Sequence, residues 1–147
     1  MIKSILRNVG VNRIMESVAA GTAANESDVV DTAGLEAVLF NITLGSMTSG
    51  GIATAKVSQC ATSDGDFVDL LGTSIASTAD ADAEGILQIE IIEPTKRYLM
   101  VTVTTSVQNV AIDNITALTF GQKKIPITAN ADIIASEQHI APAEGTA

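Results

Sequence analysis

Few residues of this 147-residue chain have the chemistry of a catalytic centre. The single histidine, His139, lies in a polar C-terminal stretch, whereas a Ser-His-Asp hydrolase needs a histidine held rigidly against its nucleophile. The single cysteine, Cys60, ends an alternating stretch, and we interpret it as a buried structural thiol rather than a nucleophile. The sequence also lacks a glycine-rich phosphate-binding loop. It therefore predicts a protein that is not an enzyme and that uses no cofactor.

Two acidic turns carry the oxygen ligands that calcium prefers. Asp80–Glu84 places carboxylates at alternate positions before a glycine, as in the first half of a calcium-binding loop. The twelfth position of such a loop should be a glutamate, but here it is Ile91, inside a predicted strand. We therefore interpret this turn, and the similar turn at Asp64–Asp66, as solvated and metal-free. Calcium binding stays open as an alternative.

Basic residues are few and stand in small groups. The chain has 8 Lys and Arg against 17 Asp and Glu, a net charge of −9, which argues against nucleic-acid binding because phosphate neutralisation needs clustered cations. Lys96 and Arg97 precede a strong strand and fit two interpretations equally, a local ion pair or a contact with a carboxylate-bearing neighbour. The candidate interface residues are Lys96, Arg97, Tyr98, Lys123, Lys124, Ile125 and Ile127.

Alternating apolar and polar residues predict the elements that position these side chains. We expect strands over the ranges 35–44, 52–60, 86–92, 97–105 and about 110–120, with a short extended segment at 67–71. The glycine-rich stretch 45–51 predicts a flexible turn. Asp113-Asn114 predicts a bulge or a kink within the last strand. The short link around Pro94 predicts that the strands on either side of it pair antiparallel.

These elements predict an all-β protein, an antiparallel β-sandwich or jelly-roll-like fold with extended arms. The core is expected at 21–121, an N-terminal arm or edge strand at 1–20 and an extended C-terminal arm at 122–147. Hydrophobic residues make up 46% and charged residues 17% of the chain, against about 25% charged in an average domain, so apolar surface remains for contacts with other proteins. The chain has neither an apolar run long enough for a membrane span nor a secretory signal pattern.

Four short motifs carry a resemblance to a known group of proteins. They are Val18–Thr22, the Ala-Asp repeat at Ala79–Asp82, Glu93–Tyr98 and the closing Pro142–Ala147. Together they resemble small virion proteins of tailed bacteriophages and prophages, usually encoded beside the major capsid protein. Some of these are cement or decoration proteins with β-sandwich or jelly-roll folds.

The resemblance implies a structural virion protein that binds the outside of a tailed-phage capsid and stabilises contacts between capsomers. Its implied partners are the major capsid protein and further copies of itself, as a dimer or trimer, and its implied location is the capsid surface after assembly in the host cytoplasm. Two alternatives remain: another virion component, such as a tail or head-completion protein, or a carbohydrate- or calcium-binding β-sandwich module.

Overall fold

The computed structural model describes residues 4–78, 82–123 and 131–138. Of these residues, 53% lie in strands and 3% in helix, so the all-β prediction is confirmed. The elements are α1 (Ile5–Asn8), β1 (Gly10–Met15), β2 (Val18–Gly21), β3 (Ala24–Glu26), β4 (Val30–Asp31), β5 (Ala37–Met47), β6 (Ile52–Cys60), β7 (Val68–Asp69), β8 (Ile75–Ala76), β9 (Ile86–Ile92), β10 (Tyr98–Ser106) and β11 (Val110–Phe120).

The strands form two antiparallel sheets that pack face to face, which confirms the predicted sandwich. The first sheet has the strand order β1-β11-β5-β9, and β2 pairs with β11 beyond the end of β1. The second sheet has the order β3-β10-β6-β7, with β4 on β10 and β8 on β6. The stretch 1–20 therefore contributes β1 to one edge of the first sheet.

The core lies between the inner faces of the two sheets. Because side chains alternate across a strand, every second residue of β5, β6, β10 and β11 points inward. Burying an aliphatic side chain of this size contributes about 1.5–3 kcal/mol. The largest fully buried side chains are Val38, Phe40, Ile42, Leu44, Val57, Leu99, Val101, Val103, Val110, Ile112 and Ile115.

The prediction that β9 and β10 pair with each other is wrong. β9 pairs with β5 in the first sheet, where Ile89 lies opposite Phe40, and β10 pairs with β6 in the second, where Val101 lies opposite Val57. The link between them crosses from one sheet to the other. Glu93 takes a positive φ of 51° and donates its N–H to Glu36 O, and Pro94 follows, so the chain leaves the plane of the first sheet.

β5 is longer than predicted, and the glycine-rich turn is shorter. Met47 still pairs with Val110, and the turn is closed by a hydrogen bond from the Gly51 N–H to Thr48 O at 2.8 Å. The predicted bulge is confirmed, because the register shifts between Ile112 and Asn114. Gly45 lies under the side chain of the bulged Asp113, where a Cβ atom would overlap the carboxylate. A glycine thus allows β5 to continue past the bulge.

The turn between β10 and β11 holds a valine in a strained conformation. Val107 has a φ of 66°, and the Gln108 N–H donates to Ser106 O at 2.8 Å, which closes a three-residue γ-turn. β-Branched residues are strongly disfavoured at positive φ. The Val107 side chain is 67% exposed, so little burial offsets this strain.

We expect Val107→Gly to raise the free energy of unfolding by about 0.5–1 kcal/mol, because relief of the strain exceeds the extra entropy of an unfolded glycine. Urea unfolding followed by circular dichroism measures the change. Val68→Gly is the matched control, since Val68 is 59% exposed but has no positive φ. The control should lose stability, and a loss in both variants would contradict the strain at Val107.

Candidate protein-interaction surface

Three of the predicted interface residues gather at one end of the sandwich, around the loop that follows β4. Thr32, which is buried, donates both its N–H and its hydroxyl to Arg97 O, at 2.8 and 2.7 Å. The Lys123 N–H donates to Gly34 O at 3.3 Å. The loop therefore brings Lys96, Arg97 and Lys123 to the same end, although they come from two different turns. A fourth candidate, Tyr98, lies beside Arg97, and Lys124, Ile125 and Ile127 lie outside the described residues.

Arg97 forms a local ion pair, which is one of the two roles that the sequence allows for it. Its Nε and Nη2 atoms donate to the two carboxylate oxygens of Asp31, at 2.8 and 2.7 Å. Tyr98 lies opposite Asp31 in the sheet, and the guanidinium lies 5.1 Å from the centre of its ring. The hydrogen bonds from Arg97 hold the pKa of Asp31 below its ordinary value. A contact of this end with a neighbouring protein stays a prediction.

The outer face of the first sheet carries an apolar surface whose position the sequence does not predict. The register aligns Val11, Leu118 and Leu39 in one row across β1, β11 and β5, and the row ends at Glu90 on β9. Val11 is 39% exposed, and Ile92, in the next row, is 67% exposed. We call this surface the apolar face; it consists of Val11, Ala37, Leu39, Ile92, Leu118 and Phe120.

The outer face of the second sheet is mostly polar instead, with Met100 as an apolar exception. The Lys56 ammonium on β6 lies 2.6 Å from the Asp69 carboxylate on β7, and Thr102 of β10 lies between Lys56 and Glu26 in the sheet register. An open groove of about 460 Å³ runs over these residues. Among the described strands, the outer face of the first sheet therefore carries the more continuous apolar surface, of the kind that other proteins cover.

The acidic turns form no metal site within the described ranges. No group of three or more His, Cys, Asp or Glu there is arranged to hold an ion. The Thr78 hydroxyl and N–H both donate to the Asp82 carboxylate, which holds the pKa of Asp82 below its ordinary value. The Asp82 carboxylate therefore stabilises its own turn. Asp80, the first predicted calcium ligand, lies outside the described residues.

Cys60 is buried at the end of β6, with 7% of its surface exposed. Its Sγ atom lies 3.8 Å from the Thr62 hydroxyl, and a hydrogen bond from the Thr62 backbone lowers the pKa of the thiol. This position is compatible with the structural role predicted for Cys60. His139 lies outside the described residues.

No protein-family model and no curated protein matches this chain. Within the ranges that the structure describes, no helix is long and apolar enough to cross a membrane. The fold therefore defines the class, an antiparallel β-sandwich with one apolar outer face. The resemblance to phage virion proteins stays a prediction.

We expect the Asp31–Arg97 pair to stabilise the fold by less than about 1 kcal/mol at pH 7, because both side chains are about half exposed. A double-mutant cycle of Asp31→Asn and Arg97→Gln measures this coupling. The pKa of Asp31 is depressed in the folded state, so the coupling is present above pH 3.8 and is lost as the pH falls below that value. A coupling that stays constant from pH 7 down to the lowest pH at which the protein remains folded would contradict this assignment.

Proposed function

We propose that this chain is a structural subunit of a larger protein assembly and packs its apolar face against a neighbouring protein. The observation that carries the proposal is the contrast between the two outer faces. An antiparallel sheet whose outer face meets water alternates apolar residues inside with polar residues outside. The second sheet follows this rule except at Met100, whereas the first places Val11, Leu39 and Leu118 side by side on its outer face.

Within that class, we propose the role of a decoration protein on the outside of a tailed-phage capsid, with the major capsid protein as its partner. The resemblance of four motifs supports this role, and the β-sandwich is the fold that the resemblance implies. Many modest contacts, repeated over a shell, add up through avidity. Because a bound subunit favours the intact shell by mass action, such contacts stabilise the capsid. The net charge of −9 would steer the subunit towards basic patches on a capsid.

Purified phage particles from cells that encode the chain provide the test. We expect the protein on the shell, at a copy number comparable to that of the major capsid protein, as measured by mass spectrometry and electron microscopy. Particles that lack it should release their DNA at a lower temperature. A few copies at the tail or the neck would contradict the decoration role but support a structural subunit. Absence from every particle would overturn both proposals.

We expect Val11→Glu to weaken binding to particles stripped of this protein by at least about tenfold, because the new carboxylate would be desolvated against an apolar partner. Co-sedimentation with the particles measures the affinity. Val68→Glu is the matched control, since Val68 is an exposed valine on the second sheet. Equal binding of the two variants, with unchanged thermal unfolding, would exclude the apolar face as the contact surface.

A further inference from the structure

β9 has an open edge whose backbone groups point away from its own sheet. The Leu44 N–H donates to Gly85 O at 2.8 Å, and the Glu93 N–H donates to Glu36 O at 2.7 Å. In an antiparallel pair, hydrogen-bonded and non-hydrogen-bonded residues alternate, so Leu87, Ile89 and Ile91 bond to β5. The N–H and C=O groups of the even-numbered residues of β9, from 86 to 92, therefore point outward. No described strand pairs with them.

The other sheet edges of the described chain are short or partly covered. β3, β4, β7 and β8 have two or three residues each. At β1, the Ile14 carbonyl accepts a hydrogen bond from the Asp28 N–H at 2.7 Å. β9 is seven residues long and contains no lysine, proline or bulge; of the features that usually protect an edge it has one, the charge of Glu90. It also exposes two isoleucines, Ile86 at 58% and Ile92 at 67%.

We propose that β9 pairs antiparallel with β9 of a second copy of this chain, about a two-fold axis that passes at Ile89. In this register, Ile86 of one copy lies opposite Ile92 of the other, and Gln88 lies opposite Glu90. All seven residues are paired, and the two exposed isoleucines cover each other at both ends of the interface. The Gln88 amide donates one N–H to Asn41 Oδ1 at 2.8 Å, and its second N–H is directed by this pairing to the Glu90 carboxylate of the other copy.

Neighbouring registers are less favourable for the same strand. An axis at Glu90 would place two carboxylates opposite each other and Ile86 opposite Pro94. An axis at Gln88 would place Ile86 opposite Glu90 and Ile92 opposite Glu84. Like charges directly opposite destabilise a sheet, and isoleucine gains little beside a carboxylate. The sequence of β9 thus selects a second copy of itself as its partner in one particular register.

The pairing would also complete the rim of the core. Leu87 and Ile91 pack against the core but are only partly buried, and the register places Leu87 of one copy opposite Ile91 of the other. The dimer does not depend on the proposed function. It would, however, join the first sheets of two copies into one sheet and place both apolar faces on the same side, since paired residues share a face.

Paired charge substitutions at positions 86 and 92 test the register. In Ile86→Glu/Ile92→Glu and in Ile86→Lys/Ile92→Lys, like charges would lie opposite each other twice in each dimer. In Ile86→Lys/Ile92→Glu, opposite charges would face each other instead. Both positions are exposed, so all three variants should fold as the wild type does. Sedimentation equilibrium from about 1 to 200 µM protein gives the dissociation constant of the dimer for each.

We expect a wild-type dimer, a dissociation constant at least about tenfold higher in both like-charge variants, and a smaller change in the opposite-charge variant. Added salt should tighten the wild-type dimer, because it screens repulsion between two subunits that each carry a charge of −9. A wild-type chain that stays monomeric throughout, or that pairs only with a strand of another protein, would overturn the proposal. A dimer that responds equally to all three variants would also overturn it.

A proline at position 90 tests the backbone contact separately. The Glu90 N–H points outward, so Glu90→Pro removes no hydrogen bond to β5 but blocks pairing with a second β9. Glu90→Gln is the matched control, because it removes the same charge and keeps the N–H. We expect Glu90→Pro to be a folded monomer and Glu90→Gln a dimer. A folded Glu90→Pro variant that dimerises as strongly as Glu90→Gln would contradict pairing through β9.

Discussion

Two sheet faces that contain almost no aromatic side chains must be held together by aliphatic packing. Phe40 is the one fully buried aromatic residue of the described chain, and the other large buried side chains are Val, Leu and Ile. β-Branched side chains are stiff and pack well on a pleated surface, which suits them to this space. Small residues at Ala53 and Ala55 on β6 let the larger side chains of the opposite sheet fill the gap. Every second side chain of these strands is therefore apolar and points inward, because the space between the sheets must be filled by aliphatic groups.

The same alternation explains how much of the fold is predictable from the sequence. The limits of β6 and β9 agree with the predicted ranges. The bulge lies at Asp113-Asn114, where this pair of polar residues predicts an irregularity in the strand. Alternation reports which face of a strand is buried, but not which strand lies beside it. The pairing of β9 with β5 is decided by packing between distant segments, and for this reason the predicted pairing of β9 with β10 fails.

The candidate surface was less predictable, because its parts meet only in the fold. Asp31 lies 66 positions from Arg97, so the sequence suggests an ion pair for Arg97 without naming its partner. The row Val11, Leu118 and Leu39 draws on three strands from both ends of the chain. One local signal existed, since Leu39 breaks the alternation of β5 with an apolar residue on the outer face. Leu39 alone does not predict an apolar surface. The surface is evident only once the register places Leu118 and Val11 beside Leu39.

The apolar face and the edge of β9 share one residue, and that residue couples them physically. Ile92 belongs to the outer row with Ala37 and also ends the open edge of the sheet. Pairing through β9 would cover part of Ile92 with Ile86 of the other copy while the rest of the apolar face stays open. A flat partner surface would then meet two faces at once, and the second contact would form at a high effective concentration. Under the proposed function, contacts that are weak at one apolar face would thereby become sufficient for stable attachment of the dimer.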